Sequence, residues 1–300
     1  WKTSKVLIAP PVQIALHELA IAKDDKSGKL HRKEIAKSLR AKSEKASGDI
    51  DYIELNSRLT CLPLRTDTLP PATHTNCFIL GEKKFVVIDA ATPFEDEQAK
   101  LFDLVDEKIE NGSICSAIIV SHLHRDHFGA ETALKKRLFE KFGIDIPISA
   151  HKITADSLSG RVEIVTFIED KTSFDLEDEN GEAFAVKVLH TPGHARGHLC
   201  FYDEEFGFLL SSDNVVGLGT VVIAPPEGNM SYYFESLDRM RNLPKLNFLC
   251  GSHGAAVYDA KGKIEEYLDH RTEREKQVLA IAGSTTKESD EIAAQVYKGL

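Results

Sequence analysis

The chain lacks the features that decide many functional classes outright. It has no apolar run near the ~20 residues of a membrane span. Its five cysteines, Cys61, Cys77, Cys115, Cys200 and Cys250, are an odd number, none close to another and none in a CxxC pair. That pattern excludes a disulfide framework and a thiolate zinc site. Four of the five lie in apolar, strand-like runs, where cysteine acts as a small hydrophobe. GxSxG is absent and no Ser–His–Asp order competes, so no motif points to a serine nucleophile. The opening WKTSKVLIAP carries no long apolar segment and no cleavage site, so a secretory leader is not expected in it. Free thiols without a leader point to the cytoplasm. The opening also lacks a methionine, as expected of a fragment or a processed product. Positive charge is in deficit: 37 Lys and Arg against 47 Asp and Glu leave a net −10, which excludes wholesale nucleic-acid coating. With 42% hydrophobic and 28% charged residues the chain is neither disordered nor fibrous.

What is present is unevenly spread. Residues 1–48 hold eleven basic and five acidic side chains, so the remainder carries −16. This first segment predicts two helices, the first after Pro10-Pro11 and the second over LHRKEIAKSLRAKSEKASG, ending at Gly48. Its basic residues form a solvated face, or else a contact for an acidic partner. From about residue 50 the pattern turns to short strands: YIELNSRLTCL, TNCFILG, KKFVVIDA, SICSAIIVS, IPISA, VEIVTFIED, AFAVKVLH, HLCFYDEE, FGFLLSSD and LNFLCGS. Helices are predicted over FEDEQAKLFDLVDEKIENG, ETALKKRLFEKFG, YYFESLDRMRNLP, KGKIEEYLDHRTEREKQVLAIAG and TKESDEIAAQVYKGL. Two groups of strands with helices between them imply an α/β fold of two packed sheets with helices outside. Three segments follow: 1–48, a basic helical extension; 49–258, the main α/β domain; and 259–300, carboxyl-terminal helices.

Twelve histidines are the other feature to explain. AIIVSHLHRDHFGA places His122, His124, Asp126 and His127 just after a buried strand. Residues i and i+2 of an extended segment share a side, so His122 and His124 can converge on one point. Asp126 and His127, at the start of the next helix, can converge on a neighbouring one. Imidazoles and a carboxylate suit zinc and related divalent ions. The bland alternative is a polar loop with incidental histidines, which three His and one Asp within six residues disfavour. His194, Asp213 and His253 each follow a strand beside Gly or in a turn. Alone, each reads as a structurally satisfied polar residue; their joint order carries the weight.

That order resembles the metallo-β-lactamase superfamily over roughly residues 50–283. FVVIDAAT, with Asp89, matches the first motif and HLHRDH the second; His194, Asp213 and His253 match the third, fourth and fifth. The resemblance implies a four-layer αββα sandwich with the site at the edge between the sheets. It implies one metal on His122, His124 and His194, a second on Asp126, His127 and His253, and Asp213 bridging both. Asp89 would orient the ligand loop from outside the ligand set. Two divalent ions, zinc or else iron or manganese, would share a hydroxide as nucleophile, with Asp126 positioning it and Asp213 holding the pair. His198, four residues after His194, supports the ligands from behind or touches the leaving group, or is purely structural.

Within the superfamily the chain is most similar to the lactamase-beta-2-like family. The matching stretches are THTNCFILG, DNVVGLGTVVIAPPEGNMSYYFESLDRM and GKIEEYLDHRTEREKQVLAIAG. The family's GxGT turn is Gly217-Leu218-Gly219-Thr220 and its P-x-G-x-M loop is Pro226-Glu227-Gly228-Asn229-Met230. Gly219, Thr220 and Met230 would line the substrate groove, with turn chemistry alone as the other reading. The HR-x-x-RE helix is present as His270, Arg271, Arg274 and Glu275, read as charge pairs on an exposed helix. The family's Pro-Gly-His-Gly is here Gly251-Ser252-His253-Gly254, which removes the proline-enforced turn. Its winged-helix segment is incomplete here, and the first twenty residues resemble the tail of a Nudix hydrolase domain. Single-stranded RNA is the first expected substrate and a small ester or thioester, as in the glyoxalase II-like branch, the second. A non-catalytic binding module is the third reading. No membrane and no extended duplex nucleic acid is expected as partner, and the oligomeric state is open.

Overall fold

A computed structural model of the chain describes residues 52–217 and 219–283, together with Ile292. The chain divides into two units, residues 1–53 and 54–300, and the described residues belong almost wholly to the second. The helices expected within 1–48 and the final helix from Thr286 lie outside the described residues.

Twelve strands form one hydrogen-bonded sheet that works as two. The first half runs β1 (Ile53–Asn56), β2 (Leu59–Arg65), β3 (His74–Leu80), β4 (Lys84–Ile88), β5 (Ile114–Val120), β6 (Ile148–Ala150) and β7 (Thr166–Phe167), neighbours in that order. The second runs β8 (Ser173–Glu177), β9 (Ala183–His190), β10 (Leu199–Asp203), β11 (Phe208–Ser212) and β12 (Phe248–Gly251). One pairing, Lys84 with Glu177, joins them. The halves also meet face to face. Asn76 of β3 donates from Nδ2 to the Gly251 carbonyl at 2.9 Å and from its backbone to Ser252 at 2.7 Å.

Side-chain alternation makes the layers. Cys77, Ile79, Phe85, Val87, Ile118 and Val120 form a core with Leu101, Leu104 and Val105 of α1 (Glu95–Glu110) and Leu134 and Leu138 of α2 (Glu131–Phe142). Phe78 and Leu80, equally buried, take the opposite pleat and face the second half. Beyond a short α3 (Lys152–Ser157), α4 (Met230–Arg241) and α5 (Ala260–Ala282) cover the far side. Their Tyr233, Leu237, Met240, Ile264 and Tyr267 pack with Leu189, Cys200, Leu209 and Leu249. The order is helices, sheet, sheet, helices: the expected αββα sandwich. Local signals are in place. Acidic Glu95, Asp96 and Glu97 open α1, and Asn229 caps α4 by accepting from the Tyr232 amide at 3.0 Å. Among the described residues no helix is long and apolar enough to cross a membrane.

Four local expectations need correction. YIELNSRLTCL is two strands, because the Asn56 side chain accepts from the Arg58 amide at 2.8 Å and turns the chain. VEIVTFIED contributes only Thr166–Phe167, since the Arg161 and Val162 amides still bond the Leu158 carbonyl and finish the turn after α3. That six-residue helix and β8 were not expected at all. Asp126 and His127 do not begin a helix: they sit in a single 3-10 turn, Arg125–His127, and α2 starts only at Glu131. Phe128 between them is extended, and the Ala130 amide is committed to the Ala90 carbonyl at 2.8 Å.

Candidate metal centre

The sequence-predicted ligands and Asp89 follow carboxyl ends of strands along one edge of the sandwich: Asp89 after β4, His122 to His127 after β5, His194 after β9, Asp213 after β11 and His253 after β12. They gather in two groups, His122, His124, His194 and Asp213, and Asp126, His127 and His253. The potential ligand atoms within each group lie within 4.8 Å of one another. Asp213 links the groups. Its Oδ2 is 3.4 Å from His127 Nε2 and 3.5 Å from His194 Nε2, and its Oδ1 is 3.4 Å from His253 Nε2. Asp126 Oδ2 is 3.5 Å from His253 Nε2.

Three of the rings are held from behind through Nδ1. His127 Nδ1 meets Asp89 Oδ2 at 2.9 Å, His194 Nδ1 meets the Val222 carbonyl at 2.8 Å, and His253 Nδ1 meets the His74 carbonyl at 2.9 Å. An imidazole that donates at Nδ1 presents a lone pair at Nε2. Asp89 is itself anchored, accepting from the Ser121 amide and hydroxyl, both at 2.7 Å. It is buried with a φ of 55°, in the left-handed region that Asp tolerates. His198 stands behind Asp213: its Nε2 accepts from the Asp213 amide at 3.2 Å, so its Nδ1 carries the proton toward Thr191 Oγ1 at 3.0 Å. It is fully buried.

Whether these residues suit a metal is a question of unmet bonding. His127 Nε2, His194 Nε2 and Asp213 Oδ1 are buried without a hydrogen-bond partner. Buried polar atoms are costly unless paired. Imidazole and carboxylate lone pairs converging in this way are satisfied together by a divalent cation, so the donor set fits. Without a cation the charges lean on one another. Burial would push His253 down, but Asp126 and Asp213 outweigh it and carry it up to about 9. His127 is likewise raised against burial, by Asp213 and Asp89. Burial, reinforced by His194 and His127, drops His124 to about 4. Burial lifts Asp213, yet His127, His253 and His194 hold it well below the usual carboxylate range.

The loop that lost its proline is held differently. Asn76 Nδ2 donates to the carbonyls of Gly251 and Gly254, both at 2.9 Å, and so braces the turn that presents His253. A Cβ on Gly251 would stand 2.4 Å from the Val215 carbonyl oxygen, so no side chain fits there. Gly219, Thr220 and Met230 are exposed in segments joined to the site. The chain from Gly219 and Thr220 leads to Val222, which holds His194, and Asn229, before Met230, donates to the Gly193 carbonyl at 2.8 Å. Sequence reasoning missed Ser121, Thr68, whose side chain bonds Asp126, and Asn76. It also missed the backbone carbonyls of His74 and Val222, which no residue type announces.

The chain is similar to several characterised folds and proteins. A metallo-beta-lactamase family protein from Thermus thermophilus covers 81% of this chain and 89% of its own, with a TM-score of 0.62 and 20% identity, a likeness of fold. A beta-lactamase domain protein from Burkholderia ambifaria gives 0.64 at 17% identity over 84% of this chain and 86% of its own. Among sequences, the lactamase-like protein adaB of Aspergillus niger is 29% identical over 69% of this chain and 58% of its own. The chain therefore spans less than two thirds of that relative. A beta-lactamase-like protein 2 homolog of Drosophila melanogaster is 30% identical over 68% of this chain and 67% of its own. A Claviceps purpurea protein named atrochrysone carboxyl ACP thioesterase is 30% identical over 70% and 60%. Residues 70–253 match the Metallo-beta-lactamase superfamily profile, a span that contains Asp89 and every residue of the two ligand groups. With the sandwich and the strand-end histidines in place, the chain belongs to the metallo-beta-lactamase superfamily.

Proposed function

We propose that the protein is a dinuclear metal-dependent hydrolase acting on a small acyl ester or thioester. The carrying observation is the pair of ligand groups sharing Asp213, with two orphaned imidazole nitrogens facing its carboxylate. His122, His124 and His194 would hold one ion, Asp126, His127 and His253 the other, with Asp213 between them. When bound, two divalent ions supply Lewis acidity and make water a nucleophile at neutral pH, and zinc suits this donor set. The chain's own task is to hold its lone pairs in place, which the Nδ1 contacts of His127, His194 and His253 do. Asp126 and Asp213, kept ionised by the imidazoles beside them, would each offer an anionic oxygen to the ions, and Asp213 would keep the pair together.

The surroundings favour an acyl substrate over RNA. Leu69, Val222, Met230 and Tyr232 are large apolar side chains left exposed, at 70%, 58%, 38% and 54%. Each belongs to a segment bonded to a site residue or to its neighbour: Thr68 to Asp126, Val222 to His194, and the Asn229 cap to Gly193, which precedes His194. Exposed apolar side chains in segments so tied to the site suit an acyl chain, and a relative named as a thioesterase supports the same class. Five buried, free cysteines support a reducing compartment.

The test is metal analysis followed by a parallel screen of acyl-CoA thioesters, S-lactoylglutathione, a lactone, nitrocefin and labelled single-stranded RNA. Two ions per chain and salt-insensitive thioester cleavage are expected, with Asp213→Ala folded and inactive. A folded protein that takes up no metal would overturn the reading. RNA cleavage that weakens steeply with salt would replace the acyl substrate by RNA.

A further inference from the structure

The helix α5 reads in sequence as a surface helix laced by charge pairs. In the structure two of its residues one turn apart, Tyr267 and Arg271, turn inward to the segment between Asp213 and Val222. Residues i and i+4 share a helix face, so both reach the same strip of backbone. Tyr267 is almost wholly buried. Its hydroxyl accepts from the Val216 amide at 3.2 Å and lies 2.9 Å from the Gly219 carbonyl and 3.4 Å from that of Val216. With one hydrogen to give, it serves the nearer, Gly219. Arg271 donates from Nη2 to the Val221 carbonyl and also hydrogen-bonds the Tyr233 hydroxyl, its guanidinium 5.6 Å from that ring's centre. Tyr233 passes its own proton to the Asn214 carbonyl at 2.5 Å. The helix thus grips the segment at Asn214, Val216, Gly219 and Val221.

The two ends of this segment are what matter. It begins at Asp213, which links the two ligand groups. It ends at Val222, whose carbonyl receives His194 Nδ1–H and so leaves Nε2 with its lone pair. A segment that drifted would let the His194 proton move to Nε2 and close that donor.

We propose that Tyr267 and Arg271 are positioning residues for the metal centre, fixing the His194 tautomer and the seat of Asp213 through the segment they hold. The inference rests on the metal-dependent reading above. Arginine suits the place because its planar fork offers donors from separate nitrogens to Val221 and Tyr233 at once, whereas lysine's donors all leave one compact nitrogen. Neither residue touches a substrate.

The test uses the full chain and four variants: Arg271→Met, Arg271→Lys, Tyr267→Phe and, as control, Ile264→Val, which loosens the buried face of the same helix. Two quantities are read. One is the His194 tautomer in metal-free, nitrogen-15 histidine-labelled protein, by NMR. The other is zinc affinity, by competition with a chelator. Arg271→Met and Tyr267→Phe should shift His194 from the Nδ1–H form to a mixture and weaken zinc binding about 10- to 100-fold. Arg271→Lys should fall between these and the unaltered chain, and Ile264→Val should change neither quantity. Wild-type tautomer and affinity in Arg271→Met, or an equal loss in Ile264→Val, would overturn the proposal. Should Arg271→Met fail to fold, Arg271→Lys and Tyr267→Phe, which hardly change volume, decide it by the same two readings. An unaltered chain that takes no zinc would sink the hydrolase reading, while the tautomer in the metal-free protein still decides whether α5 positions His194.

Discussion

Replacing Asp89 two ways should separate what it does for the fold from what it does for the site. Its Oδ1 accepts from the Ser121 amide and its Oδ2 from the Ser121 hydroxyl and His127 Nδ1, all at 2.7–2.9 Å and all buried. Asp89→Ala removes every acceptor. The hydroxyl can redirect to His122 Nδ1, 3.0 Å away, so two donors are left stranded. Each stranded donor costs about 1–3 kcal/mol. Placing alanine at a φ of 55° adds about 1–2 kcal/mol. The sum, about 3–8 kcal/mol, is comparable with the whole stability of many domains.

Asp89→Asn behaves differently. Asparagine tolerates the backbone, and its single oxygen can still serve the Ser121 amide. Its NH2 then faces His127 Nδ1, which must accept instead of donate. The imidazole proton moves to Nε2, the atom that faces Asp213, and the lone pair needed for an ion is lost. This substitution should cost only about 1–2 kcal/mol of stability yet weaken zinc binding about 10- to 100-fold. Urea unfolding of the metal-free protein and chelator competition measure the two effects. Asp89→Asn binding zinc as tightly as the unaltered chain, or both variants losing stability and affinity in the same proportion, would refute the reasoning.

Two further outcomes follow from the geometry. Metal-free protein should be most stable near pH 6.5, the ordinary histidine value. His253, raised to about 9 against burial by Asp126 and Asp213, contributes stability below pH 6.5 that is lost as pH climbs to 9. Burial depresses His122, His198 and His124, the last to about 4, so unfolding takes up protons and stability also falls below pH 6.5. A melting temperature that changes in one direction from pH 5 to 9 would contradict this, and zinc affinity should rise across pH 6.5–9 as His253 gives up its proton. Gly193→Ala should destabilise by more than the ~1–3 kcal/mol of ordinary overpacking. Its Cβ would lie 2.3 Å from Tyr233 Cα at a φ of 140°, and an unchanged urea midpoint would show that α4 does not press on the His194 turn as described.

How much was legible in the sequence follows from the range over which each signal acts. The strands around Val86 and Ile118 and the helices from Glu95 and Glu131 were readable because periodicity and end residues are local. The residues of the two ligand groups were readable because lone-pair chemistry limits which side chains can gather after buried strands. The six residues of α3 carry no full apolar period, and β8 gains its strand form from pairing with β9 and Lys84 rather than from its own composition. The Arg271 side chain was misread for a related reason. Charges four apart on a helix announce one another, whereas its partner at Val221 is a backbone carbonyl fifty residues away. The turn at His253 was read as lacking the proline that would enforce it, and the side chain that braces it, Asn76, lies 175 residues before Gly251.

The placement of the ligand groups bears on cohesion as well as on chemistry. His122, His124, Asp126 and His127 leave the first half of the sandwich, and His194, Asp213 and His253 leave the second. A cation on His122, His124 and His194 would therefore fasten one sheet to the other at the rim of the sandwich. Neither half alone can offer that coordination. At a free concentration a thousand times its dissociation constant such an ion adds about 4 kcal/mol to the folded state, and all of it opposes separation of the sheets. Loaded in this way, the two halves would behave as a clasp shut by the ion. Scarcity of metal would shorten the life of the folded chain as well as idle it, and a chain whose halves had docked out of register could not be loaded.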